Sequence, residues 1–265
     1  LKLNSDFINT YGKLRISGSV AFFLGAIILG NLIDRLGSQV LPFLMIAFFW
    51  LFLKSIYLLP NEKDKYYIYK KGNILQLLNN KKFIIVLLCC GLIQGSHAMY
   101  YSFSSILWRD NKISFSQIGY LWGWGVLAEI ILFYFIDKVN IKGFFIKILI
   151  FAGIISSCRW VLTYFFNQFY FLLFIQTLHA ISFGLAHYLM MYFIFFNIES
   201  KNKLLAQSLY HAFTSGIIMT SLTLISGYSF LYYKSGEGFL IMALSCIIST
   251  LLIIISSLWI VYEKK

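Results

Sequence analysis

The sequence predicts an all-α, polytopic membrane protein built as a bundle of helices. Of its 265 residues, 60% are hydrophobic and only 12% are charged. A soluble domain carries about 25% charged residues, so this chain cannot cover a soluble surface. Its apolar residues are grouped in long runs, and most of its lysines and arginines lie between those runs. Long apolar runs separated by basic loops are typical of transmembrane helices.

Eight apolar runs reach the roughly 20 residues that one crossing of a bilayer needs. The predicted spans cover residues 16–34, 39–59, 83–107, 116–136, 143–166, 168–196, 205–231 and 239–262. Helices are expected because lipid offers no hydrogen-bond partner to the backbone, and closed barrels are the other solution. Barrel strands would alternate apolar and polar residues, and runs such as LIMALSCIISTLLIIISSLWIV do not alternate.

The distribution of lysine predicts the orientation of the chain. The segment from residue 60 to residue 82 carries six lysines, which places it on the cytoplasmic side. Even numbers of spans on either side then place both ends of the chain in the cytoplasm. We expect a bacterial-type inner (plasma) membrane protein. The formal charge of +12 is thus a topology signal, and we expect no nucleic-acid partner because the cations do not line one face.

The long loop also predicts the domain organisation. Residues 1–59 contain two spans, residues 60–82 form a cytoplasmic central loop, and residues 83–265 contain six spans. Within the loop, the segment ILQLL suits a short helix lying in the membrane interface.

Six ionisable side chains are predicted to lie deep within the spans. Charged or titratable groups in a membrane are costly and usually functional. They are His97, Glu129, Arg159, His179, His187 and His211. The four cysteines lie in apolar runs without metal-type spacing, and the sequence contains no H-E-x-x-H motif. We therefore expect neither a metal site nor an enzyme.

At about 100° per residue, polar side chains form stripes on four predicted helices. The stripes are Gln94, His97 and Tyr101; Trp122, Val126 and Glu129; Gln176, His179, Phe183 and His187; and Gln207, Tyr210, His211 and Thr214. Such faces should avoid lipid, so they predict an interior cavity. At about 1.5 Å of rise per residue, Glu129 and His179 lie at the same depth, whereas Arg159 is level with Gln176. Packing histidines and a fixed Glu129–Arg159 ion pair remain the structural alternative.

Five stretches carry a resemblance to a known family. They are YGKLRISGSVAFFLG (11–25), GLIQGSHAMYYSFSSILW (91–108), IGYLWGWGVLAEIILF (118–133), CRW (158–160) and QTLHAISFGLAH (176–187). Together they resemble the 3-phenylpropionic acid transporter-like branch of the major facilitator superfamily. In that branch the first stretch opens the fifth of twelve helices. The resemblance therefore implies that this chain lacks four N-terminal helices that a complete transporter needs. GNLIDRLG (30–37) resembles a loop motif of the superfamily, but its placement conflicts with the predicted orientation.

The resemblance also implies a mechanism and a set of site residues. The family is related to proton-coupled sugar permeases, in which Glu, Arg and His on the eighth, ninth and tenth helices match Glu129, Arg159 and His179. A carboxylate follows one turn after the His in those permeases, and here that position is Ser182. The family implies uptake of a small organic solute with protons, by alternating access of two halves.

The expected roles are these. Proton coupling is assigned to Glu129, Arg159 and His179, with Glu129 as the carrier. Substrate binding is assigned to Gln94, His97, Tyr101, Trp122, Gln176, His187, Tyr210 and His211. No cofactor is expected. Two alternatives stay open: a non-transporting fragment of such a transporter, and a membrane haem or quinone redox protein whose histidines ligate haem.

Overall fold

The computed structural model describes residues 2–58, 72–136, 141–233 and 235–262. The described residues form helices and no strand. The α-helices are α1 (Lys2–Leu36), α2 (Val40–Tyr57), α3 (Ile74–Leu78), α4 (Lys81–Gly95), α5 (Ala98–Asp110), α6 (Phe115–Phe135), α7 (Ile141–Phe165), α8 (Phe169–Thr177), α9 (Ala186–Asn197), α10 (Lys203–His211), α11 (Thr220–Tyr233) and α12 (Gly238–Tyr262). Two π-helical segments, Ala180–Leu185 and Ala212–Met219, and one 3₁₀ turn, Ser200–Asn202, join some of them.

These helices make eight spans that are long and apolar enough to cross a membrane. Spans 1 to 8 are Ser17–Leu36, Val40–Tyr57, Lys81–Asp110, Phe115–Phe135, Ile141–Phe165, Phe169–Asn197, Ser200–Tyr233 and Gly238–Ser257. The predicted fold class, an all-α polytopic membrane bundle, is confirmed. The predicted start of span 7 at residue 205 is late because the 3₁₀ turn Ser200–Asn202 precedes α10. The predicted short helix is observed as α3, while residues 59–71 of the same loop lie outside the described residues.

Three spans are interrupted where the sequence allows it. Span 3 breaks between α4 and α5, at Ser96 and His97, directly after Gly95. A Gly–Ser pair is a common cause of helix kinks. A side chain on Gly95 would also collide with Ile218 of span 7. In spans 6 and 7 the interruptions are the π-helical segments, a form that occurs often at functional sites.

The polar site lies between two apolar clusters of the last six spans. One cluster gathers buried side chains such as Phe83, Leu189 and Ile253. The other gathers Met99, Leu172 and Met242.

Span 1 crosses span 4 at small residues. A Cβ added to Gly30 would lie 2.5 Å from the backbone oxygen of Phe115, and one added to Gly119 would collide with the backbone oxygen of Ala26. At the same end of the crossing, Asp34 accepts bonds from the backbone nitrogens of Phe115 (3.0 Å) and Ser116 (2.7 Å). The carboxylate thus caps the N-terminus of α6, where unpaired N–H groups favour negative charge. The GNLIDRLG segment holds span 1 against span 4.

Gly30→Val is expected to lower the midpoint of thermal unfolding in detergent. The new side chain would meet the backbone oxygen of Phe115, which cannot rotate away. Overpacking of this kind costs about 1–3 kcal/mol. Gly25→Val, on the same helix, is the matched control because no atom of the described residues lies within 4 Å of its Cβ position. Equal destabilisation by both variants would contradict the close crossing.

A polar cluster ties α3 to the turn between spans 6 and 7. Asn202 accepts a bond from the Asn73 backbone nitrogen (2.8 Å) and donates to Gln76 Oε1 (2.9 Å). Gln76 in turn donates to Glu199 Oε1 (2.8 Å). The Lys201 ammonium, 3.0 Å from the carboxylate, and the Gln76 amide hold the pKa of Glu199 below its usual range. The charged form of Glu199 therefore supports this contact at neutral pH, and its support is lost as the pH falls through the lowered pKa.

Candidate functional site

A cavity of about 430 Å³ lies between span 1 and spans 3, 4 and 6. Its volume lies in the range of small-molecule sites. Span 1 contributes Gly18, Ser19 and Phe22, and the other spans contribute Tyr100, Tyr101, Trp122, Val126, Glu129, His179 and Phe183. Some members of the polar stripes of spans 3, 4 and 6 therefore meet at one cavity.

Glu129 and His179 form a pair on the wall of this cavity. His179 Nε2 lies 4.0 Å from Glu129 Oε2, and the two residues are only 5% and 4% exposed. Two glycines let spans 4 and 6 approach here. A Cβ on Gly125 would lie 3.3 Å from His179 Cβ, and one on Gly184 would lie 3.0 Å from Glu129 Cγ. The pair therefore lies where the two spans approach closely.

Arg159 lies behind the cavity wall and is fully buried. Its guanidinium donates to Ser182 Oγ (2.8 Å) and to Gln176 Oε1 (2.9 Å). The third contact joins Arg159 Nη1 to His97 Nε2 at 3.1 Å. Three spans thus meet at this cation. Arg159 belongs to span 5, His97 belongs to span 3, and Ser182 and Gln176 belong to span 6.

The partners of this buried cation are neutral. Within the described part of the chain, no carboxylate oxygen lies within 4.0 Å of the guanidinium. Two aromatic rings face it instead, at 4.3 Å for Trp160 and 4.9 Å for Tyr100. Cation–π contacts stabilise a desolvated cation by about 2 kcal/mol, which is less than the cost of burying an ion. Glu129, the acidic partner in the ion pair of the structural alternative, faces His179 at 4.0 Å.

The aromatic wall of the cavity is built from neighbouring rings of spans 3 and 4. Tyr101 stacks on Trp122 with centroids 5.9 Å apart, and Tyr100 lies 4.3 Å from the same indole. The indole nitrogen of Trp122 donates to Ser105 Oγ (3.2 Å). This bond fixes the indole plane and leaves its face toward the rings.

Two buried nitrogen atoms beside the cavity have no hydrogen-bond partner among the described residues. They are Nδ1 of His179 and Nε of Arg159. A buried polar atom without a partner costs about 1–3 kcal/mol. These atoms therefore mark a place where a polar ligand or water would be stabilised.

Comparison with known proteins decides the family. The model of the MFS_1 like family matches residues 1–242. The chain belongs to this family of the major facilitator superfamily. It is also similar to a protein of Escherichia coli (strain K12) named "Probable 3-phenylpropionic acid transporter", with 29% identity over 241 residues. The match covers 88% of this chain and 62% of that protein. The predicted resemblance is thus confirmed.

The structure of this MFS_1-like protein separates the sequence-predicted residues into three groups. Glu129, His179, Tyr101 and Trp122 line the cavity. His97 and Gln176 are bonded to Arg159 behind it. The remaining predicted residues, Gln94, His187, Tyr210 and His211, are absent from the described lining.

Gln94 has a clear structural partner. Its amide nitrogen donates to the backbone oxygen of Phe183 at 2.7 Å, within the π-helical segment of span 6. A π-helix leaves carbonyl groups out of the regular α-helical ladder. In this MFS_1-like protein, Gln94 therefore satisfies the interrupted helix that carries His179.

His187, Tyr210 and His211 form a cluster of their own. The ring of His187 lies 5.9 Å from Tyr210 and 6.0 Å from His211, and the latter two rings are 5.3 Å apart. The cluster joins span 6 to span 7. These three residues lie together at a second position in the bundle, outside the described lining of the cavity.

Both ring nitrogens of His97 are engaged, which bears on haem ligation. Nε2 contacts Arg159, and Nδ1 lies 3.1 Å from the backbone oxygen of Gln94. A haem ligand needs one ring nitrogen facing the iron. Haem ligation by His97, one of the histidines available to the redox alternative, is therefore unsupported.

Several site residues were missing from the predicted set. Ser182 was noted only as a departure from the family pattern, yet it binds Arg159. Tyr100 and Phe183 also line the cavity. Phe183 was part of the span 6 stripe but was assigned no role, and Tyr100 lies next to Tyr101, the residue that the span 3 stripe selected. Gly18 and Ser19 also line it, and their small size in span 1 was the available signal.

Proposed function

We propose that this chain belongs to a secondary active transporter that moves a small organic solute together with protons. The observation that carries the proposal is the Glu129–His179 pair, 4.0 Å apart, on the wall of a cavity within the spans. Ionisable groups so placed mark ion and substrate pathways. Glu129 is the proton carrier in this proposal, and His179 is the group that passes the proton to it or bonds the solute.

The proposal divides the chain into parts of two halves. Residues 1–59 belong to an N-terminal half, residues 60–82 form the central loop, and residues 83–265 form the C-terminal half. Alternating access needs both halves around a midplane site, and the curated relative is longer than the part that this chain matches. Transport is therefore proposed for the protein in which a full N-terminal half closes the cavity.

Aromatic rings and a buried cation favour an aromatic acid as the solute. Tyr101 and Trp122 offer stacked ring faces, which suit a planar ring. Arg159, which lacks a carboxylate partner among the described residues, favours an anion near the site. The relative named as a probable 3-phenylpropionic acid transporter points to the same class. Nucleosides and sugars are the other solutes to be tried.

In the proposed site the predicted residues keep distinct roles. Arg159 sets the local positive potential and holds His97, Gln176 and Ser182 in place. Tyr101 and Trp122 bind the ring of the solute. Gln94 supports the helix of His179. The cluster of His187, Tyr210 and His211 remains a predicted contact of solute or protons on its way to or from the cytoplasm.

The proposed setting is a bacterial-type inner membrane with both ends of this chain in the cytoplasm. Six lysines between residues 60 and 82 support that orientation. The crossing of spans 1 and 4, capped by Asp34, then lies at the outer side, and α3 lies at the inner side.

Glu129→Gln is expected to abolish solute-dependent proton uptake in proteoliposomes. The amide keeps the size of the side chain but cannot carry a proton. The protein expressed from its whole reading frame would be reconstituted with an internal pH dye, and 3-phenylpropionate, a nucleoside and a sugar would be added in turn. Glu199→Gln is the matched control because this carboxylate is exposed outside the spans.

Each outcome of that experiment has a definite reading. Proton uptake that is lost in Glu129→Gln and kept in Glu199→Gln supports the proposal. If Glu129→Gln leaves proton uptake unchanged, Glu129 is not the proton carrier, although the protein is still a transporter. Wild-type protein that binds none of the solutes and takes up no protons contradicts the proposed function.

A further inference from the structure

A groove of about 810 Å³ lies between spans 5, 6 and 8, away from the candidate site. Its lining comes from the first three turns of α7, the last turns of α9 and Ser257 of span 8. Lys138 precedes α7 in the sequence and Lys142 lies in its first turn, and this lysine bias favours a position of the groove at the cytoplasmic leaflet.

The charged side chains of the groove are both cations. They are Lys142 and Lys147, and both are exposed. No aspartate or glutamate is among the described residues that line it. Lys147 Nζ lies 5.5 Å from the centre of the Phe144 ring. This contact keeps the ammonium near the ring while its alkyl stem covers apolar surface.

The walls of the groove are aromatic. Tyr192 lies 4.5 Å from Phe196 and stacks on Phe145 at 6.3 Å, measured between ring centroids. Asn197 lies at the same end as the lysines. The groove therefore joins an apolar, ring-lined side to a mouth with two cations and an amide.

We propose that this groove is a binding site for an anionic phospholipid of the cytoplasmic leaflet. Its phosphate pairs with Lys142 and Lys147, and one acyl chain lies along Phe144, Tyr192 and Phe196. Basic pockets between transmembrane helices on the cytoplasmic side recognise anionic headgroups. The volume lies in the range of ligand sites, and residues facing the bilayer meet lipid before any soluble anion. This inference does not depend on the proposed transport function.

Native mass spectrometry of the purified chain in detergent tests the proposal directly. Phosphatidylglycerol and phosphatidylcholine with identical acyl chains would be titrated, and the bound lipid would be counted by mass. We expect tighter binding of phosphatidylglycerol. Each lysine near an anionic headgroup gives about a fivefold gain, so Lys142→Gln/Lys147→Gln should weaken phosphatidylglycerol binding by about 25-fold and leave phosphatidylcholine unchanged.

Lys81→Gln/Lys82→Gln is the matched control. It removes the same charge from two exposed lysines at the start of span 3, outside the groove. Asn197→Asp is a second, independent variant that places a carboxylate at the mouth and should also weaken phosphatidylglycerol selectively. Helical circular dichroism would verify that each variant is folded.

Three results would overturn the proposal. The first is equal phosphatidylglycerol binding by the wild type and by both groove variants. The second is an equal loss in the Lys81→Gln/Lys82→Gln control, which would show a general charge effect. The third is displacement of the lipid by inorganic phosphate at comparable concentration, which would show an anion site without lipid recognition.

Discussion

Arg159→Met is expected to reduce solute-dependent proton uptake by at least 100-fold while leaving the protein nearly as stable as the wild type. A loss of that size corresponds to about 2.7 kcal/mol, which is what one preorganised polar contact contributes. Arg159 holds groups of three spans together, since it bonds His97, Ser182 and Gln176. Without it, the cavity wall loses its only neighbouring cation among the described side chains of these spans.

Replacement of Arg159 by methionine removes both stabilising and destabilising contributions to the free energy of unfolding. Hydrogen bonds to a charged group contribute about 1.5–3 kcal/mol each, and three are lost. Burial of a cation without a carboxylate costs several kcal/mol, and that cost disappears with the methionine. Two of the orphaned groups can pair with each other, because Ser182 Oγ already lies 3.3 Å from His97 Nε2. The net change in unfolding free energy should therefore stay within about 2 kcal/mol.

Uptake in proteoliposomes and thermal unfolding in detergent would be measured on the same preparations. Arg109→Met is the matched control because Arg109 is exposed at the end of span 3 and is not in the described lining of the cavity. Its guanidinium donates to the Ile113 backbone oxygen (3.0 Å) and lies 4.2 Å from the centre of the Phe115 ring. Arg109→Met should keep full uptake. Normal transport by Arg159→Met would show that the cation is not part of the transport site. Complete unfolding of Arg159→Met would show that the role of Arg159 is structural.

The fold could be predicted from sequence because a bilayer leaves the chain few choices. Each apolar run must form a helix long enough to cross the bilayer. For span 4 the predicted and observed ends differ by one residue, 116–136 against Phe115–Phe135. The pairing of Glu129 with His179 was predicted from equal depth along two helices. That reasoning needs only the rise per residue, which both helices share.

The rest of the site depends on details that a uniform helical period does not contain. The segment Ala180–Leu185 is π-helical, so the angle of 100° per residue used to relate His179 to His187 does not hold across it. His187 accordingly joins Tyr210 and His211 instead of the cavity. The contact of Ser182 with Arg159 depends on the crossing of spans 5 and 6, which no local pattern specifies.

Gly153→Ala should destabilise the protein, and Thr250→Ala should rescue it. Gly153 lies where span 5 crosses span 8, and an added Cβ would collide with the hydroxyl oxygen of Thr250. That hydroxyl is held in place by its bond to the Cys246 backbone oxygen (2.8 Å). Overpacking at a rigid contact costs about 1–3 kcal/mol. The displaced helix also carries Arg159, so solute uptake should fall together with stability.

The rescue follows from which atom causes the collision. The Thr250 Cβ would lie 3.4 Å from the new methyl group, an ordinary contact, so removal of the hydroxyl alone relieves the clash. Thr250→Ala by itself loses one local hydrogen bond, worth about 1 kcal/mol. Thr250→Val is the matched control because it keeps a group of similar size in place of the hydroxyl, and it should not rescue Gly153→Ala. A double-mutant cycle of unfolding free energies measures the coupling. Additive effects of Gly153→Ala and Thr250→Ala would show that the two helices are not in contact here, and the position assigned to Arg159 by this crossing would then have to be given up.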